Sequence, residues 1–146
     1  MNAVVCNTLT GAVSEYSRYA FHSITPTHAG SATGLYEFGG DSDDGLPIVS
    51  SIRLPATLRE STLKKHIGMV YLSMRGQGEA QLTVRGPGAA QWDYAFPLRS
   101  SGQTRCAVGR GIRENYLGFG LGNPDGQTFT LDRVEVLAHT SSTRRV

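Results

Sequence analysis

Two neighbouring runs of this chain alternate apolar and polar residues with the period of a β-strand. Ala80, Leu82 and Val84 alternate with Gln81, Thr83 and Arg85; Trp92, Tyr94, Phe96 and Leu98 alternate with Gln91, Asp93, Ala95 and Pro97. Successive side chains of a strand point to opposite faces, so each run has one face to bury and one to leave in water. His66–Arg75 reads as a strand before them. Gly76-Gln77-Gly78 and Gly86-Pro87-Gly88 punctuate the three runs, which predicts a meander. Trp92, Tyr94 and Phe96 share the apolar face, as core residues do. A platform of flat rings for stacking sugars is the other reading of the same face.

The last third carries the same signature. Tyr116–Leu121 and Thr128–Leu137 flank Asn123-Pro124-Asp125-Gly126, in which proline presets one backbone angle and glycine accepts a positive φ. The spacing predicts a final hairpin. Gly118 and Gly120 leave one face of its first strand bare, which points to a bulge or a close approach by another backbone. The apolar phase changes between Leu131 and Val134, and a β-bulge at Asp132-Arg133 keeps both on the core side.

The rest of the chain is less regular. Asn2–Ser23 mixes β-branched and aromatic residues and supplies one or two strands or an extended arm. Ser23–Thr33 reads as a loop, Leu35–Phe38 and Pro47–Leu54 as strands, and Thr57–Lys65 as a loop or a single helical turn. With no βαβ alternation, a parallel sheet is not expected, and seven to nine short antiparallel strands are. At 146 residues the simplest organisation is one domain over 1–146, with an arm at 1–12 and a tail at 140–146.

Charge and composition narrow the function classes. Fourteen basic and twelve acidic residues leave a net charge of +2, without the concentrated basic stripe of a nucleic-acid binder. No apolar run approaches the ~20 residues needed to cross a bilayer. The opening MNAVVCNTLTGAV has no basic leader, so the chain is expected to be made and kept in a cytosol. Cys6 and Cys106 stand in no metal or redox spacing, and buried, reduced thiols are expected. Lys64 and Lys65 are the two lysines; the other basic residues are arginine, which suits planar contacts at protein interfaces and also follows from an arginine-rich genome.

Catalytic and metal-ligating patterns are sparse. Asp41, Asp43 and Asp44 place three carboxylates in four residues, a possible site for a hard cation. The EF-hand pattern fails at its fifth position, where Gly45 stands, and its twelfth, where Ile52 stands. An acidic hairpin tip accounts for the cluster. His22, His28, His66 and His139 lack ligand spacing, no G-x-S-x-G elbow occurs, and Gly109–Arg113 lacks the lysine and helix of a phosphate loop. That segment reads as a connection flanked by interface arginines, Arg110 and Arg113. No cofactor or small-molecule ligand is expected.

Several segments in order resemble small β-sandwich proteins from the tail modules of tailed bacteriophages. Asn7-Thr8-Leu9-Thr10-Gly11-Ala12-Val13-Ser14-Glu15-Tyr16 resembles their opening. Gly34-Leu35-Tyr36, Gly39-Gly40-Asp41, Asp44-Gly45 and Pro47-Ile48 resemble a hairpin that follows it. Leu63-Lys64-Lys65 before a strand, Ile112–Tyr116, Asn123–Gly126, Phe129, Leu131-Asp132 and Ser142–Val146 extend the likeness. The resemblance implies a non-enzymatic virion protein of the nozzle, tail tip or baseplate, made in the host cytoplasm. The expected fold is an antiparallel, jelly-roll-like β-sandwich, and the expected partners are copies of itself and other virion proteins. Arg110, Arg113, Arg144, Arg145 and Val146 are the expected interface residues. A capsid decoration protein, a receptor-facing carbohydrate-binding module and an enzyme acting on cell-wall sugar are the rival readings.

Overall fold

The computed structural model describes residues 3–16, 19–58 and 61–141. Among them the chain is all-β: there are fifteen strands, every pairing is antiparallel, and there is no helix. This exceeds the seven to nine strands expected. The surplus consists of segments of two to four residues, too short to show a period in the sequence. The chain forms two compact units, Met1–Gly40 and Asp41–Val146.

The first unit is built from short hairpins. β1 (Ala3–Cys6) pairs with β2 (Val13–Tyr16), and β4 (His28–Gly30) lies between β3 (Ser23–Ile24) and β5 (Leu35–Glu37). The stretch expected as a loop over 23–33 thus contributes two of these strands. Asn7 holds the first turn: its Oδ1 accepts the Leu9 and Thr10 N–H groups, an Asx turn that frees Gly11 to take φ +70°. Tyr16, Tyr19, Phe21, Tyr36 and Phe38 form a chain of ring contacts, the closest being Tyr19 edge-on to Phe21 at 4.6 Å between centroids. Ala29 is the one buried hydrophobic residue described in this unit.

The second unit begins with the hairpin of β6 (Ser42–Asp43) and β7 (Leu46–Pro47), followed by β8 (Ser51–Thr57), β9 (Lys65–Gly76), β10 (Glu79–Arg85), β11 (Gln91–Pro97), β12 (Gln103–Cys106), β13 (Arg113–Glu114), β14 (Leu117–Gly122) and β15 (Phe129–Thr140). Asp44 and Gly45 both take positive φ at the first hairpin's tip, the primed turn that suits a two-residue connection. The acidic cluster therefore tips a hairpin, as its composition predicts.

Eight of these strands make two sheets. One runs β11-β10-β14-β8; in the other, β15 follows β9 along its length while β12 and β13 hold its opposite side. Both send their apolar faces into one core: Ile67, Val70, Leu72 and Met74 from β9, Ala80, Leu82 and Val84 from β10, Phe96 from β11, and Leu117, Phe119 and Leu121 from β14. The expected alternation of β10 and β11 holds. Phe96 is buried, and Trp92 and Tyr94 pack against the same core, so no ring platform faces solvent there.

Two sequence expectations about pairing are corrected. β14 and β15 do not form a hairpin; Asn123–Gly126 carries the chain from one sheet to the other. Nor do β9, β10 and β11 form one meander, since only β10 and β11 pair. A turn signal fixes a local reversal but not the partner, and here burial of both faces of the reversal in one core decides. Asn123 secures the crossover from inside. It is buried, its Oδ1 accepts the Ser50 N–H (2.6 Å) and hydroxyl (3.0 Å), and its Nδ2 donates to Ile48 O (3.2 Å) and Gln127 O (2.7 Å).

The bulge expected at Asp132-Arg133 is present: Leu131 faces Met74 and Arg133 faces Ser73, leaving Asp132 as the extra residue. A second bulge on β9 leaves Gly68 unpaired between Ile67 and Met69. It shifts the buried phase from Ile67 to Val70.

Candidate interaction surfaces

Of the expected interface residues, Arg110 lies on an exposed turn and Arg113 on β13. Arg113 is opposite His66, whose ring stacks on His139 at 5.0 Å, one strand further on. Neither arginine makes an ion pair among the described residues. Arg144, Arg145 and Val146 lie outside the described residues. The thiols are free, but the expectation that both are buried is corrected: Cys6 is exposed and Cys106 is buried. Burial pushes the Cys106 thiol up to about 11, which keeps it protonated and unreactive.

The first unit presents an unusual amount of apolar surface. Leu9 is 95% exposed, Val4 and Leu35 are each 74% exposed, and Val5, Val13, Tyr16, Ile24 and Phe38 are exposed as well. In the β1–β2 register Val4 and Glu15 share one face with Cys6 and Val13, and Val5 shares the other with Tyr16. Exposed apolar groups therefore stand on both faces of the hairpin. In the second unit Leu46, Ile48 and Val49 are exposed.

A second surface is the outer face of the β11-β10-β14-β8 sheet. Here β14 offers Gly118, Gly120 and Gly122, and the neighbouring strands stand above it as walls. The trough encloses about 250 Å³, with Ser51 and Arg53 on the β8 side and Gln81, Thr83 and Arg85 on the β10 side. A Cβ on Gly120 would lie 3.3 Å from Ile52 O and 3.5 Å from the Thr83 Cβ, so close strand approach favours glycine here. Arg85 Nη2 donates to Leu54 O at 3.0 Å across the trough, while its buried Nε has no hydrogen-bond partner.

The registers align one row across this sheet: Arg53 on β8, Gly120 on β14, Thr83 on β10 and Asp93 on β11. Asp93 accepts the Thr83 hydroxyl at 2.6 Å and the Gln91 amide at 3.0 Å. These bonds, led by the one from Thr83, hold its carboxyl below the usual 3.8. Such a group stays ionised at neutral pH, which suits an ion pair and not proton donation. The alternation of β11 already placed Asp93 on the polar face. Arg53 and the row joining the two were not readable, because sequence does not show which strand lies beside which.

No family model, curated protein or solved structure matches this chain.

Among the described residues no three metal-ligating side chains converge, and no helix is long and apolar enough to cross a membrane.

Proposed function

We propose that this protein is a non-enzymatic structural subunit of a bacteriophage virion, a tail or tail-attachment component that works by protein–protein assembly. It is made in the host cytoplasm and ends in the particle. The observation that carries the reading is the first unit, with eight large apolar side chains exposed and Ala29 alone buried among its described hydrophobics. Fully burying one such side chain is worth about 1.5–3 kcal/mol, and a lone two-stranded hairpin is marginal in water. A segment of this kind gains its stability on a partner's surface. The ordered likeness of Asn7–Tyr16, Gly34–Ile48 and Asn123–Gly126 to phage tail proteins directs the choice of particle.

In this reading the two sheets of the second unit form a jelly-roll-like sandwich that serves as the subunit's body. The hairpins before it, together with Arg110, Arg113 and the 142–146 segment, meet neighbouring copies and other virion proteins. The test is to replace Val4, Leu9 and Val13 with serine in the infecting genome and quantify the protein in purified virions by mass spectrometry. A folded variant that is depleted from particles supports the proposal. Incorporation equal to the parent, or absence of the parent protein from virions, refutes it.

A further inference from the structure

The four-stranded sheet has edges of opposite charge in the same row. Arg53 ends the row on β8 and Asp93 ends it on β11; both are exposed, and Arg53 has no ion-pair partner among the described residues. Among the described residues, the sheet's order leaves the far side of each edge strand without a strand partner. The rows on the core side end in the same way. Ile52 and Tyr94 close one row, Leu54 and Trp92 the next, and all four are less than fully buried.

We propose that copies of this chain assemble head to tail by continuing this sheet, the β8 edge of one copy against the β11 edge of the next. The strands of the sheet alternate in direction, so β8 meets the next β11 antiparallel. A register that continues the rows sets Arg53 opposite Asp93 on the outer face, with Ile52 opposite Tyr94 and Leu54 opposite Trp92 on the inner one. Cross-strand pairs of opposite charge, and of aromatic with aliphatic residues, are those that stabilise antiparallel neighbours. Pro55 and Pro97 lack the N–H a ladder needs and limit the joint to a few residues between them. The far edge of β15 is a poorer template, since the bulge at Asp132 breaks it within the strand, whereas the register shift on β8 falls after Leu54, beyond the joint. The contact joins two different edges, so it repeats around a ring or along a filament instead of stopping at a pair.

The proposal names a partner surface for the assembly reading above and is tested without virions. Sedimentation velocity of the purified chain should show concentration-dependent species larger than a dimer. Arg53→Glu and Asp93→Arg each place like charges across the joint and should weaken assembly about tenfold or more. Mixing the two variants should restore it, because each supplies the sign the other lost, in an alternating order. A parent chain that stays monomeric up to its solubility limit, single variants that assemble like the parent, or a mixture that stays dissociated would each overturn the proposal. Asp93 also binds Thr83 and Gln91; if Asp93→Arg fails to fold, Arg53→Glu and Arg53→Asp carry the test alone, with loss of assembly expected and its retention decisive against. A chain absent from virions that still assembles in this way would remove the virion reading and leave the joint standing.

Discussion

Lys65 opens β9 and is only 2% exposed, yet no carboxylate is paired with it among the described residues. Its ammonium group instead donates to three main-chain carbonyls: Ser61 O, Leu63 O at 3.0 Å and Asn115 O at 3.2 Å. The first two belong to the connection before β9 and the third to the segment between β13 and β14. One side chain thus fastens two loops at one end of the core. Methionine in its place keeps the length and the apolar stem but donates nothing. A buried polar group left unpaired costs about 1–3 kcal/mol, and three carbonyls lose their donor. Part of that deficit is recovered, because the buried ammonium no longer pays for desolvation and Asn115, being exposed, has water within reach. Lys65→Met should therefore destabilise by about 2–4 kcal/mol. At roughly 4 °C per kcal/mol for a unit of this size, the thermal midpoint should fall by about 8–16 °C. Lys64→Met, one residue earlier on an exposed site, should stay within about 0.5 kcal/mol of the parent in urea unfolding. A Lys65→Met variant as stable as the parent would show that the three bonds do no more than offset the charge's burial, and the reasoning would fail.

Two further outcomes follow from individual groups. In the native state Cys6 should react with a thiol reagent at once and Cys106 only after unfolding; equal rates would contradict the burial that raises the Cys106 thiol to about 11. The hydrogen bonds that depress Asp93 favour its ionised form, so their contribution is present above the ordinary carboxylate value and lost as pH falls through the lower folded one. Thr83→Val should raise the Asp93 midpoint toward 3.8 in an NMR carboxyl titration, and an unchanged midpoint would remove Thr83 as its main cause.

What was legible in the sequence was whatever a single strand decides for itself. The alternation of Ala80–Arg85 and Gln91–Leu98 fixed which residues face inward, and the phase change after Leu131 located a bulge to a pair of residues, Asp132-Arg133. The tip at Asp44-Gly45 followed from residues that accept positive φ. Choice of partner was not legible. The turn at Asn123–Gly126 looks the same whether it joins two strands of one sheet or passes between sheets. Its Gly126 is tied to a distant neighbour: a Cβ there would fall 2.3 Å from the Pro47 Cβ. The burial of Lys65 was not legible, because nothing nearby in sequence announces that three carbonyls will converge on it. The candidate surfaces were legible only in part for the same reason. Asp93 was placed on a polar face, but its row-mate Arg53 lies forty residues away on a strand whose position depends on β14.

The glycines of β14 connect these points. A Cβ on Gly118 would lie 3.2 Å from the Ala56 Cβ, and one on Gly122 would lie 3.2 Å from Ser50 O, so the bare strip is what lets β8 lie close along that side. The same strip removes every side chain between Arg53 and Thr83 on the outer face. Neighbouring strands are about 4.8 Å apart, so three strand spacings separate Arg53 from Asp93 by about 14 Å. That exceeds the screening length of about 8 Å at physiological salt, and within one copy the two charges scarcely feel each other. Across a joint that continues the row they would stand about 5 Å apart, inside that length. A row that carries no charge in its middle and opposite signs at its two ends gains little from that pairing in isolation. It gains most when the edge of one copy is set against the opposite edge of another.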